Sequence, residues 1–272
     1  MRLEINDDSI TYAQGAAGIV GPDEILLDRD DNLVAGTAWE QQGYTLEPFL
    51  PRETRDRLRA GISDLVRDLL VELGVELREE FVLEQYHRAV DGHDDVHRQV
   101  ARLAARGFPF RQFPMDLDLV IARIGGICGK PLRCGDPAAG ENVFNLRVIR
   151  PRSNDNSPLH RDVWLDQLRN AVNIYVPLAG SNHLSSLALV PGSHLWKESE
   201  IERTESGAVV NAIRYTVPSV VGAVRRLEVV RPNPRSDEVL VFSPYLIHGG
   251  ATNLNPDLTR VSLEMRFWRN SA

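Results

Sequence analysis

The chain has 272 residues, 43% of them hydrophobic, and carries 31 Lys+Arg against 38 Asp+Glu for a formal net charge of −7. That apolar share is ordinary for a globular protein and ample for a core, whereas the acidic balance argues against a nucleic-acid partner. Nothing approaches the run of about eighteen apolar residues that crosses a bilayer, and Met1–Asp8 lacks an apolar signal core, so a cytoplasmic protein is the expectation.

Residues 1–40 hold short extended signals, Arg2–Ile5 and Glu24–Leu27, broken by Asp-rich turns, and read as an N-terminal arm or hairpin. From Arg52 to Leu73 the period is helical: Leu58, Ile62, Leu65, Val66, Leu69, Leu70 and Leu73 share one stripe, and Gly74 is a stop. Asp94–Arg106 repeats this with Val96, Val100, Leu103 and Ala104 before Gly107. Leu117–Ile127 makes a third helix before Gly129 and Pro131. Residues 47–130 are thus a mainly helical support. Cys128 and Cys134 are the only cysteines, fit no zinc spacing, and are expected to be reduced.

After Asn142 the period becomes that of strands: Val143–Ile149, Ala171–Leu178, Leu187–Val190, Glu238–Phe242 and Val261–Trp268, separated by Pro, Gly and Asn turns. Helices first and strands afterwards predict a single domain, 1–272, that is mainly β with helices on one side of the strand core at 140–268. The long connection from Lys197 to Asp237 carries Pro218, Gly222 and the basic pair Arg225-Arg226. It is expected to be a lid or insert that contacts substrate, with oligomer surface as the other reading.

His160 and Asp162 stand two apart in Pro158-Leu159-His160-Arg161-Asp162-Val163-Trp164, and in an extended segment such residues share a face. His248 follows Val239–Phe242 and precedes Gly249-Gly250, which places it at a strand end. Two imidazoles and a carboxylate on one side of a metal form the facial triad of non-haem Fe(II) oxygenases, with positions left open for O2 and a co-substrate. Arg260 and Ser262, a cation and a hydroxyl on one strand face, suit the remote carboxylate of 2-oxoglutarate. Glu264, Arg266 and Trp268 continue that face, and Val261, Leu263, Met265 and Phe267 take the other. Charge inside a barrel is costly, so Glu264 and Arg266 are expected to pair with each other or to meet a polar substrate.

Four residues remain open between a solvated outer face and the site. Asn173 with Tyr175, and Asn145 with Arg147, would there reach the one-carbon end of 2-oxoglutarate or the substrate. Trp164 is expected to wall the pocket, with ordinary packing as its alternative. His183 is the rival third ligand, and His87, His93 and His97 read as solvated.

Three segments resemble the phytanoyl-CoA dioxygenase-like family. They are the Pro191-Gly192-Ser193-His194 turn within Val190–Trp196, the distal-histidine segment Val241–Asn253, and Gln41–Leu50 ahead of the first helix. The resemblance runs in patches from Ala38 to Trp268, and 201–237 matches nothing in it. It implies a double-stranded β-helix, the jelly roll that cupins also use. It also implies iron on His160, Asp162 and His248, a structural role for His194, and 2-oxoglutarate converted to succinate and CO2. The family handles acyl-CoA thioesters, amino acids, sugars and natural-product scaffolds, and the charged candidates inside the barrel with the acidic balance of the chain point among these to a small polar metabolite or natural-product intermediate, oxidised at a C–H bond. Related halogenases lack the carboxylate, so Asp162 points to hydroxylation, desaturation or ring formation rather than chlorination. A cupin-type metal-dependent isomerase or epimerase, and a non-catalytic small-molecule-binding jelly roll, are the alternatives. Whether the chain forms a homo-oligomer stays open.

Overall fold

The structure, a computed structural model, describes residues 2–5, 8–11, 18–27, 32–77, 80–136, 142–153, 158–210, 213–249 and 252–270, with backbone alone for 2–5, 8–11, 208–210 and 213–215. Strands Arg2–Ile5 and Asp8–Thr11 pair as a hairpin. The helices begin and end near their sequence signals. Leu58, Ile62, Val66 and Leu70 are buried along one stripe of the helix Arg52–Glu72. Pro51 precedes its first turn, where a missing N–H has no intrahelical partner to lose. Gly74, at φ +83°, takes the left-handed conformation that lets the Val75 N–H reach Leu70 O. After the single turn Tyr86–Ala89 come the helix Asp94–Arg106 and the helix Leu117–Cys128, which opens on Asp116, whose carboxylate accepts the Asp118 N–H at 2.9 Å.

The large sheet is antiparallel in the order Tyr44–Pro48, Glu238–Phe242, Ala171–Ala179, Arg260–Arg269, Val143–Ile149, Phe108–Pro109. Leu132–Cys134 pairs with the far end of Arg260–Arg269. Strand alternation then sorts side chains between two faces. Val172, Ile174, Val176, Val261, Leu263, Met265 and Phe267 pack with the helices into the main core. Tyr175, Leu240 and Phe242 point the other way, into a second apolar cluster with Leu187, Leu189 and Leu246. Each such aliphatic or aromatic side chain contributes about 1.5–3 kcal/mol on burial.

Those last three residues come from the strand Ala188–Leu189 and the segments beside it and beside His248, part of a second sheet laid over the inner face. Leu189 pairs with His248 and bridges Val230, and His248 in turn pairs with His160. The Val220 N–H donates to Leu159 O at 2.8 Å, which joins on Val220–Ala223, Ile201–Thr204 and Gly18–Val20. Leu159, Ala188, Val190 and Ile247 cover its outer side with Trp196 and Ile201. Two antiparallel sheets facing across a shared interior make the expected jelly roll.

Two segments depart from the sequence reading. The 197–237 connection is more than a loop: its strands Ile201–Thr204 and Val220–Ala223 extend the second sheet, and none of its described residues lines the central cavity. Glu24–Leu27 forms no strand, because Glu24 sits in a bend after Pro22 and its carbonyl accepts from Glu198 N–H; the neighbouring strand is Gly18–Val20. Both cysteines are free thiols, Cys128 buried and Cys134 half-buried. Among the described residues no helix is long and apolar enough to cross a membrane.

Candidate metal centre

His160 and His248 are brought together by backbone pairing, each donating its N–H to the other's carbonyl at 2.9 Å. The chain turns in a 3-10 step at Asp162–Trp164, anchored by Asp162 N–H to Pro244 O at 3.0 Å, and this aims the Asp162 carboxylate at the two rings. Asp162 Oδ1 lies 3.3 Å from His160 Nε2 and 3.8 Å from His248 Nε2, with one ligand atom from each of the three residues inside a 4.8 Å circle. Ligands at adjacent corners of a metal held ~2.1 Å away stand about 3 Å apart, so the spacing fits.

The hydrogen bonds on the far side of each ring determine what faces inward. His160 Nδ1 contacts Pro158 O at 2.7 Å, and His248 Nδ1 contacts Leu246 O at 2.9 Å. A carbonyl only accepts, so both Nδ1 atoms carry a proton, and each ring turns its Nε2 to the centre as the atom left for a metal. Burial, with His160 alongside, pushes His248 down to about 4, so it is neutral at neutral pH. Burial opposes ionisation of Asp162, but the Arg266 guanidinium beside it outweighs burial and holds the carboxyl well below its usual range. Two lone pairs and an anionic oxygen thus converge in a dry spot, which requires a cation, and a nitrogen–oxygen donor set of this kind suits Fe(II).

Gly249, at φ +117°, makes the approach possible: a Cβ there would stand 2.4 Å from Pro158 O and 3.1 Å from His160 Nδ1. Phe242 meets His248 edge-on at 4.9 Å, and Leu187 lines the same cavity. Neither Phe242 nor Leu187 was singled out in the sequence, although strand alternation from Leu240 already assigns Phe242 to the inner face.

The cavity also gathers Arg147, Asn173, Arg260, Glu264 and Arg266. Glu264 does not pair with Arg266. It takes Arg147 Nε at 3.0 Å, because Arg147 lies on the adjacent strand opposite Ser262, one step along the same face. Burial would raise Glu264, but Arg147, Arg260 and Arg266 outweigh it and hold it below the usual range. Arg266 reaches Asp162 instead, at 3.0 and 3.1 Å. Arg260 is wholly buried, stacks 5.5 Å above the Tyr175 ring and donates Nη1 to Ser185 O at 3.3 Å. Its Nε and Nη2, and the buried Ser262 hydroxyl, have no hydrogen-bond partner among the described residues. Tyr175 shares its hydroxyl with Ser181 at 2.7 Å.

Other candidates lie elsewhere. Asn145 donates to Ala105 O at 2.8 Å, outside the cavity. Trp164 is no wall of the pocket: the 3-10 turn breaks the alternation that would have aligned it with His160 and Asp162, and its indole donates to Glu198 at 2.9 Å behind the second sheet. His194 Nε2 donates to Glu40 O at 2.8 Å, while His183 lies outside the cavity. Two of the three histidines read as solvated are engaged: His97 is buried against the Tyr86 hydroxyl, and His87 bonds Thr259 and Asp257. A feature without a sequence signal is the buried Arg161, which pairs with Glu198 and donates to Ser193 O behind the metal ligands.

No family model and no curated protein sequence matches this chain. Solved structures do match in fold. The chain is similar to the non-heme monooxygenase ThoJ, with a TM-score of 0.50, 14% identity, 88% of this chain and 77% of that one covered. EctD from S. alaskensis, solved with 2-oxoglutarate and 5-hydroxyectoine, gives 0.48 at 13% identity over 95% and 86% of the chains. The alpha-ketoglutarate-dependent epimerase SnoN from nogalamycin biosynthesis gives 0.47 at 16% identity over 85% and 78%. The first of these likenesses places the chain in the jelly-roll fold of such proteins.

Proposed function

We propose that the protein is an Fe(II)- and 2-oxoglutarate-dependent oxygenase that oxidises a C–H bond of a small polar molecule, hydroxylation being the reaction the site suits best. One observation carries the reading beyond a metal site: the Nε–Nη2 edge of Arg260 and the Ser262 hydroxyl are buried and unpartnered. A desolvated guanidinium edge is costly unless an anion meets it, and a carboxylate matches its two parallel donors. His160 Nε2, His248 Nε2 and Asp162 Oδ1 hold the metal, and Arg260 with Ser262 holds the distal carboxylate of the keto acid. Iron and 2-oxoglutarate, when bound, would let O2 serve as the oxidant, one oxygen atom going into succinate as the keto acid loses CO2 and the other into the C–H bond of the substrate. Leu187 and Phe242 keep water from the reacting region. A cupin-type isomerase would have no task for Arg260 and Ser262.

The test is conversion of 2-oxoglutarate to succinate by the Fe(II)-loaded protein. Wild type is expected to form succinate. Arg260→Ala, losing two charge-assisted hydrogen bonds, should raise the half-saturating 2-oxoglutarate concentration by about ten- to a hundredfold. An unchanged requirement would move the anchor to another cation, and metal binding without succinate would return the site to the cupin-type reading.

A further inference from the structure

The two oxygens of Asp162 have separate surroundings. Oδ1 faces the two imidazole nitrogens. Oδ2 accepts three N–H groups: Asn173 Nδ2 at 2.9 Å, Arg266 Nη2 at 3.0 Å and Arg266 Nε at 3.1 Å. An ionised carboxylate oxygen offers about two lone-pair directions, so an oxygen already accepting three donors has nothing left to give a metal. The donors are themselves a matched pair. Asn173 and Arg266 are direct cross-strand partners in the middle of the large sheet, both pointing inward, whereas Asp162 approaches from the opposite sheet.

We infer that Arg266 and Asn173 are positioning residues that hold Asp162 so that Oδ1 alone ligates the metal. The inference rests on the iron reading above. It assigns to both side chains a duty on Asp162, through the Nε–Nη2 edge of Arg266 and the amide nitrogen of Asn173, while Asn173 Oδ1 keeps its own lone pairs for the cavity. Its chemical consequence is coordination number. A six-coordinate metal with three single-atom protein ligands keeps three positions free, enough for a chelating keto acid and one further ligand. A two-oxygen Asp162 would leave only two.

Arg266→Lys isolates geometry from charge, because the cation stays while the flat two-donor fork is lost. Anaerobic Mn(II) titration, read by the electron paramagnetic resonance of free Mn(II), needs no turnover. About tenfold weaker binding is expected in Arg266→Lys, with a smaller loss in Asn173→Ala. The visible spectrum of the Co(II)-loaded variants should also differ from wild type, since a released carboxylate changes the coordination number. A merely structural part would lower the melting temperature and leave the Co(II) spectrum of the folded fraction as in wild type. If Arg266→Lys does not fold, Asn173→Ala carries the same pair of readouts. Mn(II) affinity within twofold of wild type and an unaltered Co(II) spectrum would overturn the inference while leaving the metal site standing. Failure of wild type to bind either metal would overturn the iron reading and this inference with it.

Discussion

Arg161 sits between two metal ligands in sequence yet points away from them, wholly buried against Glu198, Ser193 and Trp196. Burial lowers its guanidinium to about 10, with Glu198 opposing the shift, so it stays charged at neutral pH. Glu198 also accepts the Trp164 indole, and Arg203 lies 5.2 Å over that ring. The cluster fastens the back of the His160–Trp164 turn to the segment after the Pro191–His194 turn. Glu198→Ala strands a buried cation, and a loss of about 3–5 kcal/mol in urea unfolding is expected. Glu198→Gln, which keeps the acceptor oxygen, should lose less. A near-neutral Glu198→Ala would mean that the pair is not what holds this turn. No residue spacing announces such a pair, because its members lie 37 positions apart and neither belongs to a periodic element.

Elements with a strong period were legible in the sequence. Asp94–Arg106, Val143–Ile149 and Glu238–Phe242 have the expected limits, since a buried stripe or alternating face runs their full length and Gly or Pro ends most of them. The second sheet was harder to read. Its pieces around His160, Leu189 and His248 are bridges of one or two residues, too short for alternation to register. The strands within 197–237 are three or four residues long and set among Pro, Gly and charged residues, so the segment reads as one loop, and the two-residue rule that places Trp164 is cancelled by the 3-10 turn. The inner face of Arg260–Arg269 was legible because ten residues of strict alternation carry it, but the partners chosen by Glu264 and Arg266 depend on register with Val143–Ile149 and Ala171–Ala179. At this scale the vulnerable joint is Gly249, where the His248 strand passes Pro158 and His160. In Gly249→Ala the left-handed φ adds about 1–3 kcal/mol of strain, and the Cβ clash displaces His160. Mn(II) binding should fall at least tenfold even in protein that remains folded by circular dichroism. Binding within twofold of wild type would show that the two histidines tolerate separation.

Over the whole molecule, one architecture serves two tasks. The helices and the outer face of the large sheet bury the main core, which frees the inner face to carry Arg147, Asn173, Arg260, Glu264 and Arg266 among apolar neighbours. The second sheet supplies His160 and His248 from backbone paired with each other, and the 3-10 turn that follows His160 supplies Asp162. The three candidate metal ligands therefore face Arg260 and the other polar groups of the large sheet across one cavity. The direct test is an anaerobic titration of the protein with Fe(II) and 2-oxoglutarate, watching for the weak visible charge-transfer band of the chelate. Wild type should develop the band, and His160→Ala should not. Iron bound at His160, Asp162 and His248 with no band on adding 2-oxoglutarate would contradict the account, because Arg260 and Ser262 would then be holding something else.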